Sequence, residues 1–512
     1  MVTNTTIKNF KHKTQNSFLP YIILSFAVLL AWFPVLGGHP LFSEEFHYRN
    51  MLNNGFWSFC IEWLKFQGMW RLLSQAVNGV TTNYPTFTSY LAVFTHILTT
   101  CLFFRVTEIL FKRKGLALVL ALTMGVFPWG FQTLVNVMGY TPMLATTIFW
   151  GNLLLLLKFA DKKKLQPLIF FTSFILTFIA QSLYEILIFA FMFSGAVLCF
   201  DEDDKTFNLR KKFNNLRYRY IALAPFLSGL AFLISYKLTY PNTYRMYPPG
   251  FSIQAIFSIY FRQYTNYYIF QPWLSPVTRN LIFYSWSLSD ILLFFILLLG
   301  LIYSLFALLK QSNSIQSKLL PLSKILLPYI ILLIFGASLL YAVSGGYQLE
   351  SRKRYSLIPL LLLLVGWIWC RFFENRVQMT RKMLVLLMTS VIFGISTSWL
   401  VTGVYIYEIH RQDALAEFIV ANKVKGDIQL DLNPDIKAAW PTLYTALGFD
   451  IYDTWVFNFS PEFKLGLWNG RTIADRIWVT RERRRLVNIT QNPNAVKLRF
   501  NPDLLRWEFA NT

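Results

Sequence analysis

The chain has 512 residues, of which 55% are hydrophobic and only 14% charged, a balance that leaves too little polar surface for a soluble domain of this size. Its net charge of +22 does not point to nucleic acid, because most of the cations fall in short loops between apolar runs, where orientation and anionic lipid account for them. Cys60, Cys101, Cys199 and Cys370 form no CxxC pair, which excludes a disulfide framework and a cysteine metal site.

Apolar runs of span length recur from Phe18 to Tyr407, the mark of an all-α polytopic membrane protein. The first run, FLPYIILSFAVLLAWFPVLGG, lacks a small-x-small cleavage site and reads as a retained span. In chain order the sequence predicts about eleven spans, at 18–38, 85–111, 116–135, 142–160, 165–183, 186–200, 219–239, 284–309, 325–343, 357–373 and 383–407. The stretch 165–200 also reads as one hairpin turning at Gln181 to Glu185. Taking every second loop collects Lys8, Lys11 and Lys13, then Lys112 to Lys114, Lys162 to Lys164, Lys205 to Arg217, Lys310 to Lys324, and Arg376 to Lys382. By the positive-inside rule that side is the cytoplasm. The opposite side then holds the loop 39–84, the loop 240–280, and the polar tail 408–512. The tail reads as a small α/β domain, with a helix near 412–422 and strands at 427–432, 476–480, 496–500 and 505–509. The segment 1–407 is the membrane domain.

The first outer loop opens HPLFSEEFHYRN, where Ser43 can cap a helix beginning at Glu44 and Glu45. Two carboxylates so near the membrane exit are costly unless they face a partner or a water-filled cavity. GFWSFCIEWLKFQ follows, aromatic and apolar except for Glu62 and Lys65; it reads as a helix lying in the interface, with Trp57 on it. The second outer loop mixes Tyr244, Arg245, Tyr247, Tyr260, Arg262 and Trp273. Such rings suit a membrane interface, and they also stack on sugars and hydrogen-bond to them.

Arg352, Lys353 and Arg354 fall on the outer side, against the positive-inside tendency. Either the loop tolerates them or an anion sits there. A phosphate suits the Arg fork and the Lys point charge, and just above a bilayer it is most naturally a lipid phosphate. Tyr355 adds a hydroxyl, and Arg71 and Arg245 are further candidate donors. Glu185, at the outer turn of 165–200, is either a turn residue at the water line or a group that meets an acceptor sugar. A divalent ion held by His47 and a glutamate is conceivable, but no DxD or HxxxH pattern supports one, and no cofactor is expected.

These features resemble the GT-C class of membrane glycosyltransferases, which carry an acidic pair in the first extracytoplasmic loop, interfacial helices beside it, and basic residues near the outer ends of later spans. Within the class the chain looks most like the serotype-converting O-antigen glucosyltransferases of bacteria and their phages. The matching pair is Glu44 and Glu45, although many members of the class have at least one Asp there. The resemblance implies a bacterial inner-membrane protein with a cytoplasmic N-terminus and a periplasmic tail. It implies inverting transfer of a hexose from a polyprenyl-phosphate donor to a polysaccharide or lipid-linked acceptor. Glu44 or Glu45 would act as base, Arg352, Lys353, Arg354, Tyr355, Arg71 and Arg245 would hold the donor phosphate, and Glu185, Tyr244, Tyr247 and Trp57 would bind sugar. A flippase, transporter, polymerase or ligase for lipid-linked saccharides is the alternative.

Overall fold

The computed structural model describes residues 4–37, 51–52, 54–67, 71–111, 113–128, 130, 132–135, 139–159, 162–194, 216–239, 292, 295–301, 303, 330–334, 355–372, 388–399, 402, 414, 417–419, 421–424, 428–431, 477–479, 496–501 and 506–510. These residues are mostly helical. The helices are α1 (Asn4–Ala31), α2 (Phe56–Gln67), α3 (Leu72–Asn83), α4 (Pro85–Phe111), α5 (Lys114–Val126), the single turn α6 (Gln132–Val135), α7 (Tyr140–Phe159), α8 (Gln166–Leu183), α9 (Ile188–Ser194), α10 (Leu216–Thr239), α11 (Ile358–Phe372) and α12 (388–399).

Among the described residues, four helices are long and apolar enough to cross a bilayer: Pro85–Phe111, Tyr140–Phe159, Gln166–Leu183 and Tyr220–Thr239. Their surfaces are inverted relative to a soluble bundle. On α4 the exposed side chains are Phe87, Tyr90, Phe94 and Leu98, spaced by three and four residues along one face. The buried ones on the same helix include Thr88, Ser89, Thr95, His96, Thr99 and Thr100. On α8 the exposed stripe is Leu168, Phe171, Ile175 and Phe178, while Ser173, Thr177 and Gln181 are buried. Apolar stripes facing out and polar residues packed between helices are what a lipid surround demands. The protein is therefore a membrane-associated helical bundle.

Local sequence explains the helix ends. Pro85 opens α4 at the first helical position, where its missing N–H costs nothing. Pro167 does the same one residue into α8. The run 116–135 does not form one span. Lys114–Val126 is helical for 13 residues, about 20 Å, short of a hydrocarbon core of about 30 Å. Phe127 then turns extended (φ −86°, ψ 148°), as the residue before Pro128 must, and only the short α6 follows. The stretch 165–200 breaks at Tyr184, which is extended (φ −159°, ψ 116°), and one 3-10 turn, Glu185–Leu187, leads into α9. A helix the sequence reading lacked, α3, forms from LLSQAVNGVTTN. It doubles back on α2, with Gly79 seated against the rings of Phe56 and Phe59.

The α4–α5 pair and the α7–α8 pair are helical hairpins packed side by side, with α10 against α8, and α1 and α11 against α5. In the tail, β1 (Ile428–Asp431), β2 (Ile477–Val479), β3 (Val496–Asn501) and β4 (Arg506–Phe509) make one sheet in the order β2-β1-β3-β4. β1 runs parallel to β2 and β3, and β3 pairs antiparallel with β4, Leu498 lying opposite Phe509. These strands fall on the four apolar runs of the tail.

Candidate functional site

Several helix ends meet at one place in the bundle. The early stop of α5 leaves its last carbonyls without intrahelical donors. Side chains from other helices supply them. The Trp32 indole N–H, just past α1, donates to the Gly125 carbonyl at 2.9 Å. His96, midway along α4, reaches the same oxygen through Nε2 at 3.0 Å. The Ser398 hydroxyl of α12 donates to the Val126 carbonyl at 2.6 Å, and the Trp399 indole donates to the Leu30 carbonyl of α1 at 2.7 Å. Broken helix within a bilayer is tolerated where protein groups re-satisfy its backbone, and here they do.

His96 fixes the arrangement further. A carbonyl only accepts, so the imidazole proton lies on Nε2, and Nδ1 is left as an acceptor. The Tyr355 hydroxyl, 2.7 Å away, donates to it. Tyr355 lies just ahead of α11 and is 4% exposed. Its backbone and Cβ press against Gly130, where an added Cβ would lie 2.7 Å from the Tyr355 Cβ; this contact requires glycine. Trp32, His96, Phe127, Leu134, Tyr355 and Ile358 line a small cavity at this junction. Nearby, Thr95 meets the Tyr140 hydroxyl at 3.2 Å, Thr99 meets Thr147 at 2.6 Å, and Thr146 meets Ser356 at 2.7 Å.

A second cluster lies where α3 begins and α8 ends. Arg71 donates to Glu185 at 2.5 Å, with both side chains 29% exposed. The pair joins the segment between α2 and α3 to the turn after α8. Below it, α3 turns Ser74, Gln75, Asn78, Thr81 and Thr82 inward and leaves Leu72, Leu73 and Val80 exposed. It packs this polar face on α4, α7 and α8.

Of the site residues expected from sequence, Arg71 and Glu185 are brought together. The Tyr355 O–H is committed to His96 rather than offered to an anion. Trp57 is 74% exposed on α2, against lipid or solvent. Glu44, Glu45, His47, Tyr244, Arg245, Tyr247, Arg352, Lys353 and Arg354 lie outside the described residues. Among the described residues no three His, Cys, Asp or Glu side chains gather as metal ligands. Sequence reasoning missed His96 and the polar face of α3. Both carried a signal: an ionisable residue inside an apolar span, and Gln75, Asn78, Gly79 and Thr82 at helical spacing. Comparison with known proteins finds no matching family model, no matching curated protein and no matching solved structure.

Proposed function

We propose that this chain transfers a hexose, glucose by resemblance, from a polyprenyl-phosphate donor to a lipid-linked or surface polysaccharide acceptor. The reading is that of a GT-C-like enzyme of about eleven spans in the bacterial inner membrane, working on the periplasmic face, with 408–512 on that side. The acceptor hydroxyl attacks the anomeric carbon and the bond to the phosphate oxygen breaks with inversion. The hydroxyl proton passes to Glu44, with Glu45 orienting it, and the electron pair leaves on the lipid phosphate. Arg352, Lys353, Arg354 and Arg245 meet that developing charge. Tyr244, Tyr247 and Trp57 offer rings to the sugars. Arg71 and Glu185, already paired, hold the first outer loop against the end of α8.

The observation that supports this reading is the meeting of Trp32 and Tyr355 around His96. Arg354 is bonded directly to Tyr355, and Glu44 follows Gly37 by seven residues, a reach of at most about 25 Å. The reading requires that the loops carrying Glu44 and Arg354, which flank Trp32 and Tyr355 in sequence, reach one sugar phosphate.

Glu44→Gln and Glu45→Gln, each confirmed to insert at wild-type level, test the base. The expected loss is about 100- to 10,000-fold in hexose transfer for the residue that takes the proton. It is read as a missing hexose mass on the surface polysaccharide. Full transfer in both variants overturns the assignment. One observation favours a transporter of lipid-linked saccharides instead: Asn152 and Gln181 are wholly buried within apolar helices. A transporter moves the lipid-linked sugar across proteoliposomes without forming a glycosidic bond.

A further inference from the structure

Buried polar side chains in this bundle divide by whether they have partners. On α4 each buried hydroxyl, and the imidazole, is matched. Along α8, which packs between α7 and α10 and beside α3, the matching fails. Asn152 of α7 donates through Nδ2 to Thr177 Oγ1 at 3.3 Å, but its Oδ1 has no hydrogen-bond partner. On α8, Ser173, Thr177 and Gln181 follow at four-residue steps and share a side of the helix. The Ser173 hydroxyl and both polar atoms of the Gln181 amide have no partner. On α3, packed against both, Asn78 Oδ1 and Thr82 Oγ1 have none. All five of these side chains are 5% exposed or less. A polar group held from water without a partner is strongly disfavoured, most of all in lipid.

The unmatched atoms describe what would satisfy them. Amide oxygens accept, the Gln181 NH₂ donates, and the hydroxyls do either. A guest that both donates and accepts, through groups the size of a hydroxyl, fits them. A charged guest does not, because none of the five side chains carries a compensating charge, and the nearby Arg71 and Glu185 are paired with each other. We propose that the buried polar side of α8, facing α7 and α10 with α3 beside it, is a binding site for an uncharged hydroxylic guest, either ordered water or the hydroxyls of a sugar. The site stands independently of the transfer reaction proposed above.

Gln181→Met tests it, because methionine keeps the length of the side chain and deletes the amide. With an empty seam, removing an unpartnered amide raises Tm; with an occupied seam, Tm of the purified protein in detergent falls. Methyl glucoside that raises Tm of the wild-type protein but not of Gln181→Met identifies the guest as sugar. Radiolytic footprinting in heavy-oxygen water identifies water. Met192, half-buried on α9, and Gln181 both pack on Gly229 of α10, and Met143, fully buried, serves as the dry control. A fall in Met192 labelling in Gln181→Met, with Met143 labelling unchanged, supports bound water and shows at once that the variant is folded. A rise in Tm for Gln181→Met, or no sugar shift together with Met192 labelling that the substitution leaves unchanged, overturns the proposal. So does a Tm shift with sodium chloride that is absent with choline chloride at the same concentration, since that marks a bound sodium ion.

Discussion

Two polar contacts border α7, and they are built differently. Towards α4 and the start of α11, Tyr140, Thr146 and Thr147 each meet a partner of matching chemistry, and His96 and Tyr355 lock together beside them. Towards α3 and α8, Asn152, Ser173 and Gln181 are as deeply buried but keep unmatched atoms. In lipid no hydrophobic effect pulls helices together, so matched hydrogen bonds and close packing must hold them. The matched contact has the character of a crosslink between spans. The unmatched one retains hydrogen-bonding capacity at a cost in stability, the signature of a place where something else belongs.

The difference breaks most severely at His96. His96→Ala removes the acceptor of Tyr355, stranding a buried hydroxyl at about 1–3 kcal/mol, and it leaves a void beside Trp32, while the Gly125 carbonyl keeps its Trp32 donor. A large fall in Tm is expected, greater than for any single truncation in the α3–α7–α8 seam. A smaller fall at His96 than at Asn152→Ala would show that the matched contact is not the stronger crosslink. Gly130→Val acts on the same junction from the backbone side, since its Cβ alone would lie 2.7 Å from the Tyr355 Cβ and the two chain segments must separate. Overpacking of this kind costs about 1–3 kcal/mol. Tyr355→Phe keeps the ring and strands only Nδ1, so its Tm should lie between those of His96→Ala and the wild-type protein.

How much of this was visible in the sequence depends on what sets each feature. Runs such as 85–111, 142–160 and 219–239 form helices close to those bounds because composition alone dictates helix in lipid. The tail strands stand on short apolar runs such as VKLRF. What averaging hides is pattern within a run. Window hydropathy carries α5 past Pro128, although the residue before a proline is pushed out of the helical region. LLSQAVNGVTTN looks like loop by composition and becomes α3 because its polar residues share one face that α4, α7 and α8 can cover. The joining of Arg71 to Glu185, 114 positions apart, is a tertiary fact that no local pattern encodes. His96 was visible as a letter but not as a junction, since its partners Gly125 and Tyr355 come from two other segments.

The smallest effect on stability, and the most informative about mechanism, is expected at the Arg71–Glu185 pair. Both side chains are partly exposed, so solvent screens the attraction and the pair contributes under about 1 kcal/mol. Arg71→Ala and Glu185→Ala should each lower Tm slightly, and the double-mutant cycle should return a coupling of that size. The exchange Arg71→Glu with Glu185→Arg then separates two roles. If the pair only holds α3 to the end of α8, exchange restores the contact, and hexose transfer recovers relative to either single reversal. If Glu185 itself receives a sugar hydroxyl, an arginine in its place cannot accept a hydrogen bond, so Tm recovers while transfer stays lost. Recovery of both places this pair with the matched crosslinks. Recovery of Tm alone places it with the unmatched seam, as the charged rim of a site that binds sugar.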